Sequence, residues 1–522
     1  MSQMLKSSGA MAGATLTSRL LGMVREIVYA RFMGDGWVAA AFQVAFTIPN
    51  LFRRLLGEGA LTAAFIPVFK EKEKTAGEQE MWRAANAVIS GLVIASAIII
   101  ALVLFLVTLA LSVHEFAAQT ELMLRLLRWM FPYMLLVCLA AAFMGMLNAR
   151  GHFFIPAMGA TMLNVVMIAS VLWLAPRFGD VLHKQIFGLA VGVLIAGVAQ
   201  ATFQLPTLWR DGFRYCWVSP WKNPTVGHVV RQMIPGAIGV AAFQINVVLI
   251  QGLGLWLDTP AHPLIAPFNY AVRLMELPQG VFGISIATFL LPTLSGLAAE
   301  KNYPGFRSTL RQGMTHLILI NLLMAVLLVT LAEPIIRLLF ERGKFDHFST
   351  ERAAFALECL GASLVAYSLV NVLARAFFAL GDTKTPMKVS IACLALNLIF
   401  SLSLVWSLRQ GGLGLANTIS SAFNVGLLLY ALRRKLATLD LAALRSSLLP
   451  LAFAGALAAL LAWAGGRYWE HSLGHKTLLL KIGAVFVPGG VACAAYWAAI
   501  LSLKVPAAKE MADLILHKFR GK

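Results

Sequence analysis

From Ala85 to Ser112 the chain runs for 28 residues without one charged side chain, and apolar runs of this kind recur from end to end. About twenty apolar residues in a helix rise some 30 Å, the thickness of bilayer hydrocarbon. Lipid offers no hydrogen bonds, so each such run must satisfy its own backbone, and a helix does that within one segment. About fourteen spans are predicted, near residues 10–33, 38–68, 85–112, 122–147, 154–175, 186–208, 227–257, 264–298, 311–332, 353–379, 387–407, 412–432, 447–466 and 478–502. With 59% hydrophobic residues, 13% charged and a mean hydropathy of +0.77, nothing in the composition suggests a soluble domain.

The charges that do occur are placed with a pattern. Lys and Arg gather after spans 2 (Lys70, Lys72, Lys74, Arg83), 6 (Arg210, Arg214, Lys222), 8 (Lys301, Arg307), 10 (Lys384, Lys388) and 12 (Arg433, Arg434, Lys435, Arg445), whereas the connections after spans 3 and 7 carry none. By the positive-inside rule this puts both termini in the cytoplasm with an even number of spans. The start leads into the first span with no cleavage site before a soluble domain. The net charge of +19 thus reports membrane orientation; no basic segment with interleaved aromatics is present, so nucleic acid is not an expected partner. Cys138, Cys216, Cys359, Cys393 and Cys493 are scattered without a CxxC or Cys/His cluster, which argues against disulfide scaffolds and metal sites.

Two segment pairs repeat at an offset of 225 residues. IPNLFRRLLGEGALTAAFIPVF (48–69) resembles LPQGVFGISIATFLLPTLSG (277–296), aligning Pro67 with Pro292, and MLNARGHFFIPAM (146–158) resembles VLARAFFALGDTKTPM (372–387), aligning Arg150 with Arg375. Each copy holds about six spans of the same parity, so the halves are parallel repeats, the plan of transporters that carry cargo between two bundles. The predicted fold is an all-α membrane protein with about 14 transmembrane helices in two pseudo-symmetric lobes plus a C-terminal helix pair. The expected divisions are 1–225 (spans 1–6), 226–440 (spans 7–12), 441–503 (spans 13 and 14) and 504–522, an interfacial helix that alternates charged and apolar residues.

Against this background four arginines stand out: Arg19, Arg25, Arg53 and Arg273 lie inside spans 1, 2 and 8. A charge at the bilayer centre costs roughly 2.5–3.5 kcal/mol, so four cost on the order of 10 kcal/mol unless they face a hydrated, protein-lined space. Ser18, Gly22 and Arg25 fall on one helical stripe, while Arg19 lies about 120° away with Gly22 and Glu26. Asn50, Arg53, Arg54 and Glu58 follow Pro49; Arg54 and Glu58 are i, i+4 partners, leaving Arg53 as the better ligand. In span 8 Arg273 and Glu276 are three apart, with Pro278 just after. Guanidinium is always charged and forks two hydrogen bonds onto one oxyanion, which suits a phosphate or diphosphate cargo. A cation carrier would instead want intramembrane carboxylates, and those of spans 1, 2 and 8 each stand beside an arginine.

SRLLGMVRE (18–26), the 48–69 segment, FPYMLLVCLAAAFMGMLNA (131–149), YAVRLMELPQGVFG (270–283), LLFERGKF (338–345) and DTKTP (382–386) resemble the MurJ/MviN family of lipid II flippases, within the multidrug/oligosaccharidyl-lipid/polysaccharide exporter superfamily. The resemblance runs nearly the whole chain in order. It implies fourteen spans, an alternating-access cavity made by spans 1, 2, 7 and 8, and a groove at spans 13 and 14 for a polyprenyl tail. It implies lipid II as cargo, surrounding membrane lipids and the cell-wall synthesis machinery as partners, and the bacterial cytoplasmic (inner) membrane as location, in the service of peptidoglycan synthesis and cell shape. Carried over by position, Arg19, Arg25, Asn50, Arg53 and Arg273 would bind the diphosphate headgroup, and Ser18, Gly22, Glu26, Pro49, Glu58, Glu276 and Pro278 would shape or gate the cavity. The chain departs where many relatives carry Asp, having Glu26, Ala40 and Val272. No GxxxxGK[ST] is present, so no cofactor is expected and the energy source is the membrane potential or an ion gradient. Not an enzyme but a carrier is expected, since Asp346 and Asp382 stand singly and the ten histidines are dispersed. The alternative is an exporter of another polyprenyl-linked glycan or of drugs.

Overall fold

The computed structural model describes residues 2–53, 62–221, 223–259, 262–436, 441–511 and 513. Its backbone divides into two packing units, Met1–Ala266 and Pro267–Lys522. The first contains α1 (Ser2–Met33), α2 (Trp37–Phe52), α3 (Thr62–Ala76), α4 (Glu78–Val113), α5 (Ala118–Met130), α6 (Tyr133–Ala149), α7 (Phe154–Ala169), α8 (Leu182–Thr202), α9 (Leu205–Arg210) and α10 (Pro224–Leu257). The second is built from α11 (Ile265–Pro278), α12 (Ile284–Ala299), α13 (Tyr303–Thr330), α14 (Ala332–Phe340), α15 (His347–Gly361), α16 (Ser363–Ala379), α17 (Lys384–Lys435), α18 (Leu441–Ser472) and α19 (Leu478–Ser502). Among the described residues eight helices or helix runs are long and apolar enough to cross a membrane, or ten when two bent pairs each count as one span.

Several spans read as single helices from the sequence are interrupted. The fourth is α5 plus α6, bent by 46° where Pro132 interrupts the backbone ladder, and the tenth is α15 plus α16, bent by 43° at Ala362. The second ends with α2 at Phe52 and resumes as α3 at Thr62, with residues 54–61 outside the described ones. Spans 11 and 12, expected as separate helices, are the two parts of α17, divided at Arg409, which takes φ 51° and ψ −127°. The packing units also divide differently from the sequence repeat. The repeat places the boundary at 225, whereas α10 packs with the first unit: Val229 joins the core of that unit and Val226 packs against it. Of the expected interfacial helix 504–522, residues up to 511 and 513 are described; Val505, Ala507 and Ala508 are buried in the second unit's core.

The membrane inverts the usual burial rule, and α4 displays it. Ile98, Leu102, Phe105, Leu106, Leu109 and Val113 are all exposed large apolar side chains, facing lipid. At the other end of α4, Trp82 meets Phe69 and Phe213 at 5.5 and 5.6 Å, and Phe143 packs on Phe213, forming an aromatic core. Close helix contact relies on small residues. An added Cβ at Gly188 in α8 would sit 2.7 Å from the Ala175 backbone, so Gly188→Ala is expected to cost about 1–3 kcal/mol, read as a lower Tm in detergent.

Polar groups at helix ends are matched in detail. Asp382 of the DTKTP stretch accepts the Thr385 N–H (3.0 Å) and the Lys435 ammonium (2.7 Å), joining both ends of α17, and the lysine holds its carboxyl down to about 2. Asp258, just past α10, accepts the Ile265 N–H at 3.5 Å and is buried. Burial pushes its carboxyl up to about 7 from an ordinary 3.8, with Asp35 adding in the same direction. Between those values the folded chain keeps a proton that the unfolded chain has released. Stability is therefore greatest below the window and falls as pH rises through it. Asp258→Asn is expected to flatten the decline in Tm between about pH 4 and 7.

Candidate functional site

Within the first unit, α1 runs unbroken past Gly22 and lies along α7. The contact is built around one residue, Asn164 of α7, which is buried within an otherwise apolar span. Its Nδ2 donates to the Ser18 carbonyl at 3.0 Å, and its Oδ1 accepts from Arg25 Nη1 at 3.1 Å. Gly22 lies beneath, where an added Cβ would meet Asn164 Nδ2 at 3.7 Å. One amide thus fixes the α1 backbone and aims the arginine side chain. Arg25 also donates through Nη2 to Glu26, which is buried, and its guanidinium stands 5.4 Å from the Tyr29 ring.

The predicted site residues therefore differ in what they offer. Arg25, with its side chain only 12% exposed, is charge-matched by Glu26. Arg19 is half-buried and forms no ion pair among the described residues. In α2, Pro49 is buried and removes the N–H that would have bonded the Ala45 carbonyl. The next residue, Asn50, accepts through Oδ1 from Arg53 Nε at 2.8 Å, so that a neutral amide one turn back orients this guanidinium. Glu58, like Arg54, lies outside the described residues.

In the second unit Arg273 donates to Glu276 Oε2 at 2.7 Å, both side chains being more than 40% exposed. A surface pair of this kind holds its partners weakly and is open to competition by a stronger anion. Buried Pro278 ends α11, and a π turn, Gln279–Gly283, follows at once. An added Cβ on Gly283 would come within 2.5 Å of Ser368 Oγ, so the turn is wedged against α16. Such turns loosen the helical ladder where side chains must be re-aimed.

The structure thus brings Ser18, Gly22, Arg25 and Glu26 together with Asn164, pairs Asn50 with Arg53, and pairs Arg273 with Glu276. Asn164 was missed from sequence; its signal was a lone amide inside an apolar span, a residue type that seeks a partner on another helix. Asn164→Leu, with the same branching and heavy-atom count, is expected to keep the fold but remove the amide that aims Arg25, lowering transport several-fold with unchanged amounts of folded protein. Among the described residues no group of three or more His, Cys, Asp or Glu is arranged to hold a metal ion. Each unit by itself thus presents guanidinium on its helices, oriented by neutral amides or by carboxylates.

Comparison with known proteins adds an independent line. The sequence profile of the family described as "Lipid II flippase MurJ" matches residues 29–483. The "Probable lipid II flippase MurJ" of Vibrio cholerae is 33% identical over 439 residues, 82% of each chain. That of Rhizobium tropici is 32% identical over 494 residues, covering 93% of this chain and 91% of the relative. The "Lipid II flippase MurJ" of Burkholderia cenocepacia is 32% identical over 435 residues, 81% and 83% of the two chains. Among solved structures, "Lipid II flippase MurJ, inward closed conformation" superposes with a TM-score of 0.75 at 21% identity, over 94% of this chain and 99% of that one. An "inward-facing conformation of a multidrug resistance MATE family transporter" follows with 0.66 at 13% identity, over 82% and 98%; both likenesses concern the fold.

Proposed function

Because the chain belongs to the MurJ family of lipid II flippases, we propose that it carries lipid II from the inner to the outer leaflet of the bacterial cytoplasmic membrane by alternating access. The observation that carries the chemical part of this reading is the set of membrane-embedded arginines held by amides and exchangeable carboxylates. The diphosphate of the cargo is the anion they await. Arg19 meets it first, because no carboxylate among the described residues holds it, and Arg53, whose Nε is oriented by the neutral amide of Asn50, adds a second donor. Arg25 joins by exchanging Glu26 for a phosphate oxygen, and in the second unit Arg273 offers the same exchange with Glu276; each swap is favoured only when the full negative charge is present. Release of two carboxylates would then report occupancy to the rest of each unit.

The polyprenyl tail stays in lipid, and no bond is made or broken. The loop charges support cytoplasmic termini, which places the highly basic connections on the side where lipid II is made. Net charge crossing the membrane field is worth about 2.3 kcal/mol per charge per 100 mV, enough for the potential to drive the cycle. Complementation tests the reading: expression in a strain depleted of its own lipid II flippase restores growth and cell shape. Failure by a well-expressed, membrane-inserted chain would favour an exporter of another polyprenyl-linked glycan.

A further inference from the structure

From the end of α9 to the start of α10 the chain crosses the surface of the first unit as a strap, non-helical from residue 211 on, and its side chains are unusual. Trp209, Tyr215, Trp217 and Trp221 are 49%, 51%, 60% and 69% exposed, four large aromatics within 13 residues. A floppy loop would fold such groups inward. This strap is pinned instead. Phe213 is buried in the aromatic core against Trp82 and Phe143. The Arg214 carbonyl accepts from Asn86 Nδ2 at 2.9 Å, Ser90 Oγ lies 3.3 Å from the Tyr215 hydroxyl and accepts from the Val218 N–H at 3.5 Å, and Pro220 packs on Gly91. The backbone is thereby fixed on α4 with the rings turned outward.

The depth of that attachment identifies what the rings face. At 36 residues α4 rises about 54 Å, well beyond the 30 Å hydrocarbon layer. Its lipid-facing stripe ends at Val113, and twenty residues back from there is residue 93. Ser90 and Gly91 therefore sit within one turn of the hydrocarbon boundary, at the level where Trp and Tyr concentrate in membrane proteins. The loop charges assign this end to the cytoplasmic leaflet. Basic charge at the strap stands clear of acids. Arg210 is exposed and takes no ion pair among the described residues; Arg214 is exposed and gives Nη1 to the Trp209 and Phe213 carbonyls, with no carboxylate. The strap's own acid, Asp211, is engaged by His152 at 3.1 Å and by Arg150 at 3.9 Å.

We propose that residues 209–221 form a rigid docking strip for anionic phospholipid headgroups at the cytoplasmic interface, with Arg210 and Arg214 taking the phosphate and Trp217 and Trp221 seated among the glycerol and upper acyl groups. Interfacial aromatics supply the anchoring and unpaired guanidiniums the preference for negative lipid. Cys216, exposed between them, gives a handle for measurement.

The full-length protein is reconstituted in nanodiscs of phosphatidylcholine with or without phosphatidylglycerol, and retained lipids are counted by native mass spectrometry. Wild type is expected to retain phosphatidylglycerol over phosphatidylcholine, and Arg210→Gln/Arg214→Gln to weaken that preference about tenfold. Arg210→Gln alone, which breaks no hydrogen bond described here, is expected to give a part of the loss, so misfolding of the strap is not mistaken for lost binding. A polarity-sensitive dye on Cys216 is expected to shift to the blue in nanodiscs and back in Trp217→Ala/Trp221→Ala, with Cys216→Ser as the blank. Equal phosphatidylglycerol retention by wild type and both arginine variants overturns the proposal. So does a dye that reads bulk water, or displacement of the retained lipid by a polyprenyl diphosphate. None of these readouts depends on flipping.

Discussion

Arg25→Ala is expected to abolish lipid II translocation in proteoliposomes, at least a hundredfold below wild type, and to lower the yield of folded protein as well. Two separate losses combine in it. The buried Glu26 loses the cation beside it, and removing one partner of a buried pair typically costs about 3–5 kcal/mol. The cargo phosphate also loses a two-pronged donor that Asn164 had aimed. The double variant Arg25→Ala/Glu26→Gln separates them: removing the orphaned carboxylate is expected to recover folding while transport stays absent. Lys at position 25 keeps the charge but not the planar fork, so Arg25→Lys is expected to retain a small fraction of activity. If the double variant transported at wild-type rate, Arg25 would be a structural partner of Glu26 and nothing more.

The second large effect lies in the second unit, far from the proposed cargo ligands in sequence. Arg337 of α14 is 2% exposed and is gripped from three directions: both oxygens of Glu470 at 2.9 and 3.0 Å, Glu333 one turn back, and Glu341 at 3.6 Å. Glu341 in turn accepts from Lys481 at 3.0 Å, and Glu470 faces His475 at 2.8 Å. One guanidinium thus ties α14 to α18, and through Glu341 to α19. Arg337→Ala would leave several carboxylates facing one another around a cavity, at a cost of about 3–5 kcal/mol. Thermal unfolding in detergent is expected to show a large drop in Tm, partly reversed by adding Glu470→Gln. An unchanged Tm would mean the helix pair is held by its apolar contacts alone.

The apolar spans were plain in the sequence, because lipid leaves an uncharged run of twenty residues few ways to fold. Where they break was less plain. Pro132 announces the bend between α5 and α6, and the break at Arg409 falls in the connection expected between spans 11 and 12, just before Gly411 and Gly412, but Ala362 carries no such mark. The arginines were legible as anomalies, whereas their partners were only partly so. Arg273 and Glu276 follow the i, i+3 rule. Arg25 and Glu26 are adjacent and point about 100° apart on a helix, so their pairing depends on the reach of a long side chain. Asn164 stands 139 residues from Arg25, and Glu470 stands 133 from Arg337. No local pattern encodes such meetings; they exist only once the helices have packed.

Whether guanidinium groups hold the cargo by its diphosphate can be measured without any transport. The affinity of the purified protein for an undecaprenyl diphosphate should exceed that for the uncharged polyprenol of equal length by at least two orders of magnitude, and Arg19→Gln/Arg53→Gln should erase most of that margin while leaving affinity for the alcohol untouched. Equal binding of the charged and neutral lipids, or a margin that survives the loss of both arginines, would mean that the charge in these helices serves something other than the phosphate.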